Sequence, residues 1–250
     1  MKQGFVRTKN YSRLLEVIGQ MESRGAREAS LILVNGEPAL GKTAAVQRVA
    51  IDKGAAVFRC KATWTKRALL DEMADAFRVD KRGRNQEVQA RLIKAIAAQQ
   101  TPLVFDEVQH IIGSTAATLE VVRDITDATE VLCILVAGTG DVENRLSRFP
   151  QIASRIGAVV QFVPLAEGDY LQVLKTVAEV ELDRALTQRL FEESAGKTRL
   201  VLNGIATIER VCGTNGTKKA TAEMFAGVAL CQEWQGRRVR GMRAGVSGGQ

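Results

Sequence analysis

Histidine and cysteine are scarce in this chain of 250 residues, which has one histidine, His110, and four cysteines. The cysteines stand far apart, at Cys60, Cys133, Cys212 and Cys231, so the chain has no C-x-x-C pair and a zinc site is disfavoured. We expect the first two in buried strands and the other two in helices, all as free thiols in a reducing cytoplasm.

Long apolar runs are also missing. No run approaches the roughly 18–20 residues that a membrane-spanning helix needs, so a membrane partner is not expected. Charged and polar residues follow the first five residues, which argues against a secretory signal peptide. These absences favour a cytoplasmic globular protein.

Acidic residues are too few to balance the basic ones, and the net charge is +7. Residues 61–100 carry a net charge of +4, and residues 236–250 carry four arginines and no acid, so the rest of the chain has a net charge of −1. Two local basic segments favour a polyanionic partner more than an evenly basic surface would. The alternative is solvated helix faces together with a disordered tail.

Apolar runs alternate with helical patterns over the first two thirds of the chain. The runs predict strands at 30–35, 55–60, 102–106, 131–137 and 158–163. The helical patterns predict helices at 42–53, 66–78, 86–99, 115–127 and 141–148. Strands that alternate with helices predict an α/β fold in which helices flank a parallel five-stranded sheet.

A complete G-x-x-x-x-G-K-[ST] motif stands at residues 36–43, between the first predicted strand and the first predicted helix. This is the context that a phosphate-binding loop requires, because backbone N–H groups at a helix N-terminus hold the phosphates. Lys42 would reach the β- and γ-phosphates, and Thr43 would hold Mg²⁺. The motif predicts ATP and Mg²⁺ as cofactors, with the nucleotide bound by Gly36, Glu37, Pro38, Ala39, Leu40, Gly41, Lys42, Thr43 and Ala44.

The third predicted strand ends in Asp106-Glu107. An apolar strand that ends in this pair is typical of the second motif of ATP-hydrolysing P-loop proteins. Asp106 would hold Mg²⁺ beside Thr43 and contact the nucleotide, and Glu107 would activate the attacking water.

Three further residues are candidates for the phosphoryl-transfer site. Thr139 follows the fourth predicted strand and would sense the γ-phosphate, unless it only starts a turn. Arg155 lies far from its own phosphate-binding loop and would act as an arginine finger in a neighbouring subunit's site, with Arg145 and Arg148 as alternatives. Arg199 begins a predicted helix of the C-terminal lid and would reach the γ-phosphate from that side, or lie on a solvated face.

Residues 167–236 contain no convincing strand and predict helices at 167–180, 183–195, 199–212 and 220–235, with a break at 213–217. We therefore expect three segments. These are an α/β nucleotide-binding domain at 1–165, whose first 20 residues are an extension, a helical lid at 166–236, and a disordered basic tail at 237–250.

Taken in this order, these motifs resemble the AAA+ ATPases over about residues 20–235. The chain is most similar to the family of phage Mu transposition protein B and the TnsC/TniB-type transposition regulators. The similarity lies in the segments 106–110, 154–156 and 199–203. It implies an ATPase of the bacterial cytoplasm that forms head-to-tail oligomers on double-stranded DNA, captures target DNA and activates a transposase.

The chain departs from this family in three respects. Ala39 stands where the family usually has glycine, and Thr139 replaces the common sensor asparagine. Protein B has an N-terminal helix-turn-helix domain, but the residues before Tyr11 in this chain are too few to form one. DNA binding is therefore expected from the ATPase domain itself.

Relatives of this family bind DNA along the residues that follow the second strand. The matching positions lie within the basic segment at 61–100 and are Lys61, Thr65, Lys66, Arg67, Lys81, Arg82 and Arg84. Contacts from such residues to phosphates would be insensitive to sequence and sensitive to salt. Two alternatives stay open, namely a helicase-loader or clamp-loader type of AAA+ ATPase and a nucleotide switch that does not hydrolyse ATP.

Overall fold

The computed structural model describes residues 1–113, 116–139 and 141–231. Its central sheet contains five parallel strands: β1 (Leu31–Asn35), β2 (Ala56–Arg59), β3 (Leu103–Asp106), β4 (Cys133–Val136) and β5 (Ile156–Gln161). Their order across the sheet is β2-β3-β4-β1-β5. The predicted parallel five-stranded sheet is therefore confirmed.

The helices up to the end of this sheet are α1 (Lys9–Glu22), α2 (Lys42–Lys53), α3 (Lys66–Ala76), α4 (Asn85–Gln99), α5 (Ala117–Thr129), α6 (Val142–Leu146) and α7 (Pro150–Ala153). The sequence predicted neither α1 nor α7, and it predicted α6 as a longer helix at 141–148. The chain starts a new helix at Pro150, because proline fits the first turn of a helix but not its interior.

Alternate residues of the central strands pack on opposite faces of the sheet. Leu31, Leu33 and Phe105 lie in a core with residues of α3, α4 and α5. Ile32 and Val34 lie in a second core with residues of α1 and α2. Side chains of a strand point alternately to its two faces, so a central strand covered on both faces is apolar throughout.

The strand register places the functional motifs at one edge of the sheet. Val34 of β1 and Asp106 of β3 both lie beside Val136 of β4. The segments that follow these three strands, including the phosphate-binding loop, therefore leave the sheet side by side.

The C-terminal part contains α8 (Glu167–Val177), α9 (Arg184–Ser194) and α10 (Thr198–Thr214) around a third core, which includes Tyr170, Leu190 and Val201. The prediction that this part has no strand is wrong. Strands β6 (Glu181–Leu182) and β7 (Lys219–Ala220) form a short parallel pair.

The predicted helix at 220–235 is also wrong in its described part, where a 3₁₀ helix at Ala222–Phe225 is followed by irregular chain up to residue 231. Side chains on or beside α9 form the hydrogen bonds to this segment's backbone that a helix would otherwise form within itself. The Asp183 carboxylate accepts from Ala222 N, the Arg189 guanidinium donates to the carbonyl oxygens of Phe225 and Val228, and the Glu193 carboxylate accepts from Leu230 N and Cys231 N.

The division of the chain at residue 165 stays a prediction. Residues 232–236 of the predicted lid and the predicted tail at 237–250, with its four arginines, lie outside the described residues. Within the described part, no helix has both the length and the apolar character that crossing a membrane requires.

All four cysteines are free thiols. Cys133 lies in β4, Cys60 directly follows β2, and Cys212 lies in α10. Cys231 is not in a helix, contrary to the prediction, because its segment is irregular. Burial raises the pKa of the Cys60 thiol to about 12, so this thiol stays protonated and unreactive at neutral pH.

Candidate functional site

A cleft of about 520 Å³ lies at the edge of the sheet where β1, β3 and β4 end. Its walls come from the phosphate-binding loop, the ends of β3 and β4, and the start of α10. The structure brings eleven predicted site residues together here: Pro38, Ala39, Leu40, Gly41, Lys42, Thr43, Ala44, Asp106, Glu107, Thr139 and Arg199.

The phosphate-binding loop has an unusual backbone at three positions. Gly36 has a φ of +137° and Gly41 a φ of +85°, and a Cβ on Gly36 would lie 2.6 Å from the carbonyl oxygen of Phe162. Ala39 has a φ of +70°, in the region that glycine tolerates best. The backbone of Ala39 is therefore strained, and strained residues of this kind occur most often at functional sites.

Lys42 is folded back onto the loop. Its ammonium donates to the carbonyl oxygens of Gly36 and Glu37, each at 2.7 Å, and its side chain is buried. Burial lowers the pKa of Lys42, because the charged form loses hydration. The N-terminus of α2 has no side-chain cap, so its first backbone N–H groups are available to an anion.

Thr43 and Asp106 meet on the floor of the cleft. The Thr43 hydroxyl donates to Asp106 Oδ2 at 3.1 Å, and burial raises the pKa of the Asp106 carboxyl. A hydroxyl and a carboxylate are oxygen ligands of the kind that Mg²⁺ prefers. A cation between them would also offset the cost of burying this carboxylate, so the residues fit the predicted metal.

Glu107 follows Asp106 at a φ of +59°, where the chain turns from β3 into a 3₁₀ helix at Val108–His110. Its carboxylate accepts a hydrogen bond from Gln109 Nε2. Gln109 also lines the cleft, although the sequence predicts no role for it.

Thr139 and Arg199 reach the cleft from two other elements. The Thr139 hydroxyl donates to Asp141 Oδ1 at 2.6 Å. Arg199 lies in the first turn of α10, and its backbone N–H donates to the carbonyl oxygen of Ala39 at 3.0 Å, which joins α10 to the phosphate-binding loop.

Arg155 does not lie in this cleft. Its Nε donates to Asp127 Oδ1 and Oδ2 at 3.0 and 3.1 Å, and its Nη1 donates to Ser154 Oγ at 3.3 Å. Arg145, one alternative for the same role, donates to the carbonyl oxygens of Gln109 and Ile112 and is committed to its own chain. Arg148 is exposed.

The seven predicted DNA-binding residues lie on or beside the first turn of α3 and the loop between α3 and α4. Four of them form ion pairs: Lys61 with Glu72, Lys66 with Glu120, Arg67 with Asp71, and Lys81 with Asp75. Thr65 caps α3 by accepting a hydrogen bond from Ala68 N.

Arg67 has a structural role in this basic surface. Its guanidinium donates to the carbonyl oxygens of Lys81 and Gly83 and so holds the loop at 81–84 against α3. Arg82 and Arg84 are exposed and contact their neighbours through backbone atoms. Their side chains are therefore the better candidates for contact with a polyanion.

A second, smaller cleft of about 140 Å³ adjoins the first and was not predicted. Its lining is largely apolar and includes Phe5, Val6, Phe162 and Val173. Leu40, Gly41, Ala44, Thr198 and Leu202 line both clefts. No motif marks residues 4–8 in the sequence, so only the fold shows that they reach the phosphate-binding loop.

The sheet, the phosphate-binding loop and the Asp-Glu strand end together define the AAA+ P-loop NTPase fold. Residues 25–146 match the model of a family described as AAA domain. A search of curated proteins found no match.

Solved structures with this fold are similar over nearly the whole chain. The ORC2 protein of Aeropyrum pernix, solved as ADPNP–ADP complexes, is 15% identical with a TM-score of 0.71, and the match covers 93% of this chain and 70% of that one. Cdc6p of Pyrobaculum aerophilum is 17% identical with a TM-score of 0.67, over 91% and 69% of the two chains. ORC1 of A. pernix, solved in complex with DNA, is 19% identical with a TM-score of 0.62, over 91% and 65%.

Proposed function

We propose that this chain is an AAA+ ATPase that binds duplex DNA without sequence specificity and assembles on it head to tail when ATP is bound. The observation that carries the proposal is the convergence of Lys42, the Thr43–Asp106 pair and Glu107 on one cleft. ATP with Mg²⁺ and double-stranded DNA are the ligands proposed, and further copies of this chain are the partner in assembly.

Each cleft residue has a chemical task in this proposal. Lys42 would leave the loop carbonyls and bind phosphate oxygens, and Thr43 and Asp106 would hold Mg²⁺, which neutralises phosphate charge when it is bound. Glu107 would accept a proton from the attacking water. Arg199 would join α10 to the bound phosphates, since its backbone already contacts the loop at Ala39.

The small apolar cleft suits the adenine base, because it adjoins the loop and is lined largely by apolar groups.

Val6→Trp would fill this cleft, and we expect it to weaken ADP binding by about tenfold or more. Isothermal titration calorimetry with ADP and with inorganic tripolyphosphate checks this. Tripolyphosphate affinity should stay within about twofold, because the phosphate-binding loop is unchanged. An equal loss of affinity for ADP and tripolyphosphate would show that the adenine base does not bind in this cleft.

Exposed arginines at the loop before α4 supply the proposed DNA contacts. We expect the double variant Arg82→Gln, Arg84→Gln to weaken duplex binding and to lower the slope of log affinity against log salt by about 1.8, since each phosphate that is no longer neutralised reduces the slope by about 0.9. Fluorescence anisotropy of a labelled duplex with an ATP analogue measures both effects.

The matched control is the double variant Lys175→Gln, Arg184→Gln, which removes the same charge from exposed positions of α8 and α9. If the control lowers the salt slope as much as the test variant, DNA contact is not localised at residues 82–84. Binding of the wild type that is equal with ATP analogue and with ADP would contradict the proposed ATP dependence.

Two biological roles fit such a protein. The motif resemblance supports target-DNA capture and activation of a transposase. The structural likeness to ORC and Cdc6 proteins supports a role as a loader in replication. Affinity purification of the Glu107→Gln variant from its native cells, followed by mass spectrometry, separates the two, because recovery of a transposase supports the first role and recovery of a replicative helicase supports the second.

A further inference from the structure

Gln109 lies between Glu107 and the end of β4. Its side-chain Oε1 accepts a hydrogen bond from Gly138 N at 2.7 Å, and its Nε2 donates to Glu107 Oε2. A backbone N–H can only donate and a carboxylate can only accept, so both contacts require the same orientation of the amide. The two contacts therefore fix the Gln109 side chain as a bridge.

Close packing holds this bridge in place. A Cβ on Gly138 would lie 2.2 Å from Glu107 Oε2 and 2.3 Å from Gln109 Nε2. A side chain at position 138 would therefore displace the ends of both Glu107 and Gln109, which explains the glycine that follows the apolar strand β4. The carboxylate of Glu107 and the amide of Gln109 both lie against this backbone.

The backbone of Gln109 is anchored as well. The Arg145 guanidinium of α6 donates to the carbonyl oxygen of Gln109 at 3.2 Å. The same helix is tied to the end of β1, because Asn35 Nδ2 donates to Glu143 Oε1 at 2.7 Å. The turn that carries Gln109 is thus connected to all three strands that end at the cleft.

Thr139, by contrast, does not donate its hydroxyl proton to Glu107. The hydroxyl donates to Asp141 Oδ1, and this hydrogen bond lowers the pKa of Asp141 because it favours the charged carboxylate. At this edge of the cleft, the amide of Gln109 is the side-chain donor that reaches Glu107 in the described structure.

We propose that Gln109 is the positioning residue for Glu107. Its amide holds the Glu107 carboxylate at the cleft and links it to the end of β4. This inference rests on the proposed ATPase function, because it needs Glu107 to act on a water molecule beside the bound nucleotide.

The test compares two ligands in the variant Gln109→Leu, which keeps the size of the side chain but removes the amide. ADP affinity should stay within about twofold of the wild type, because the residues of the phosphate-binding loop are unchanged. Affinity for ADP with aluminium fluoride, a transition-state analogue, should fall by about tenfold or more, since it depends on groups positioned for the reaction. The kcat for ATP should fall by a similar factor, with KM little changed.

The matched control is Gln188→Leu, because Gln188 Nε2 also donates to a glutamate, Glu192, but on the exposed face of α9. This variant should bind both ligands as the wild type does. Gly138→Ala should have the same effect as Gln109→Leu, since its Cβ would displace the side chains of Glu107 and Gln109. It replaces Gln109→Leu in the test if that variant does not fold.

The outcomes separate this inference from the proposed function. If the wild type binds the analogue and hydrolyses ATP, but Gln109→Leu and Gly138→Ala do so equally well, the inference is overturned and the proposed function stands. A wild type that binds neither ADP nor the analogue overturns the proposed function and this inference with it.

Discussion

The Glu107→Gln variant should bind ATP and duplex DNA as the wild type does, but release neither. The amide keeps the size of the side chain and its hydrogen-bond contacts, but it cannot accept a proton from water. A general base of this kind typically contributes about 10²–10⁴-fold to the rate. Because hydrolysis is proposed to trigger disassembly, complexes with DNA should persist by a similar factor.

Dissociation of labelled duplex after dilution into excess unlabelled duplex measures this lifetime. The matched control is Lys42→Ala, which removes the buried ammonium at the phosphate-binding loop. It should abolish ATP binding and, with it, assembly on DNA. Short-lived complexes from Glu107→Gln in the presence of ATP would refute the link between hydrolysis and release.

Arg155→Ala should reduce ATP hydrolysis by about 10³-fold or more while leaving ATP binding intact, as expected for an arginine that acts on a neighbour's nucleotide. Arg155 lies outside its own cleft, where Asp127 accepts from its Nε and Ser154 Oγ accepts from its Nη1. A head-to-tail interface would bring this guanidinium to the nucleotide of the next subunit.

Mixing two inactive variants tests this arrangement directly. Lys42→Ala keeps the arginine but lacks the phosphate-binding lysine, and Arg155→Ala has the reverse defect. An equal mixture should recover hydrolysis at the interfaces where an Arg155→Ala subunit binds the nucleotide and a Lys42→Ala subunit supplies the arginine. No recovery would show that Arg155 does not act across subunits. Recovery with Arg148→Ala in place of Arg155→Ala would assign the role to Arg148.

Local sequence pattern was sufficient for the central sheet, because β1, β3 and β4 are buried on both faces and are therefore apolar throughout. The Thr43–Asp106 pair also follows from sequence, since consecutive motifs at the carboxyl ends of parallel strands meet at one edge. The apolar run at 131–137 and the glycine after it did not show that Gly138 packs against Gln109. That contact depends on how β3 and β4 are aligned.

The C-terminal part was harder to predict, because contacts distant in sequence decide it. Residues 222–231 have an amphipathic pattern, yet their backbone groups bind Asp183, Arg189 and Glu193 around α9 instead of one another. The small cleft was missed for the same reason. Its wall at residues 4–8 joins the phosphate-binding loop through tertiary packing, which no local pattern signals.

Electron microscopy of the wild type with duplex DNA most directly tests the claim that bound ATP completes contacts between subunits on DNA. With a non-hydrolysable ATP analogue, we predict rings or helical filaments of regularly repeating subunits on the duplex. With ADP, and with Lys42→Ala in either nucleotide, we predict bare DNA. Isolated particles with the analogue, or equal assemblies with ADP, would contradict the account.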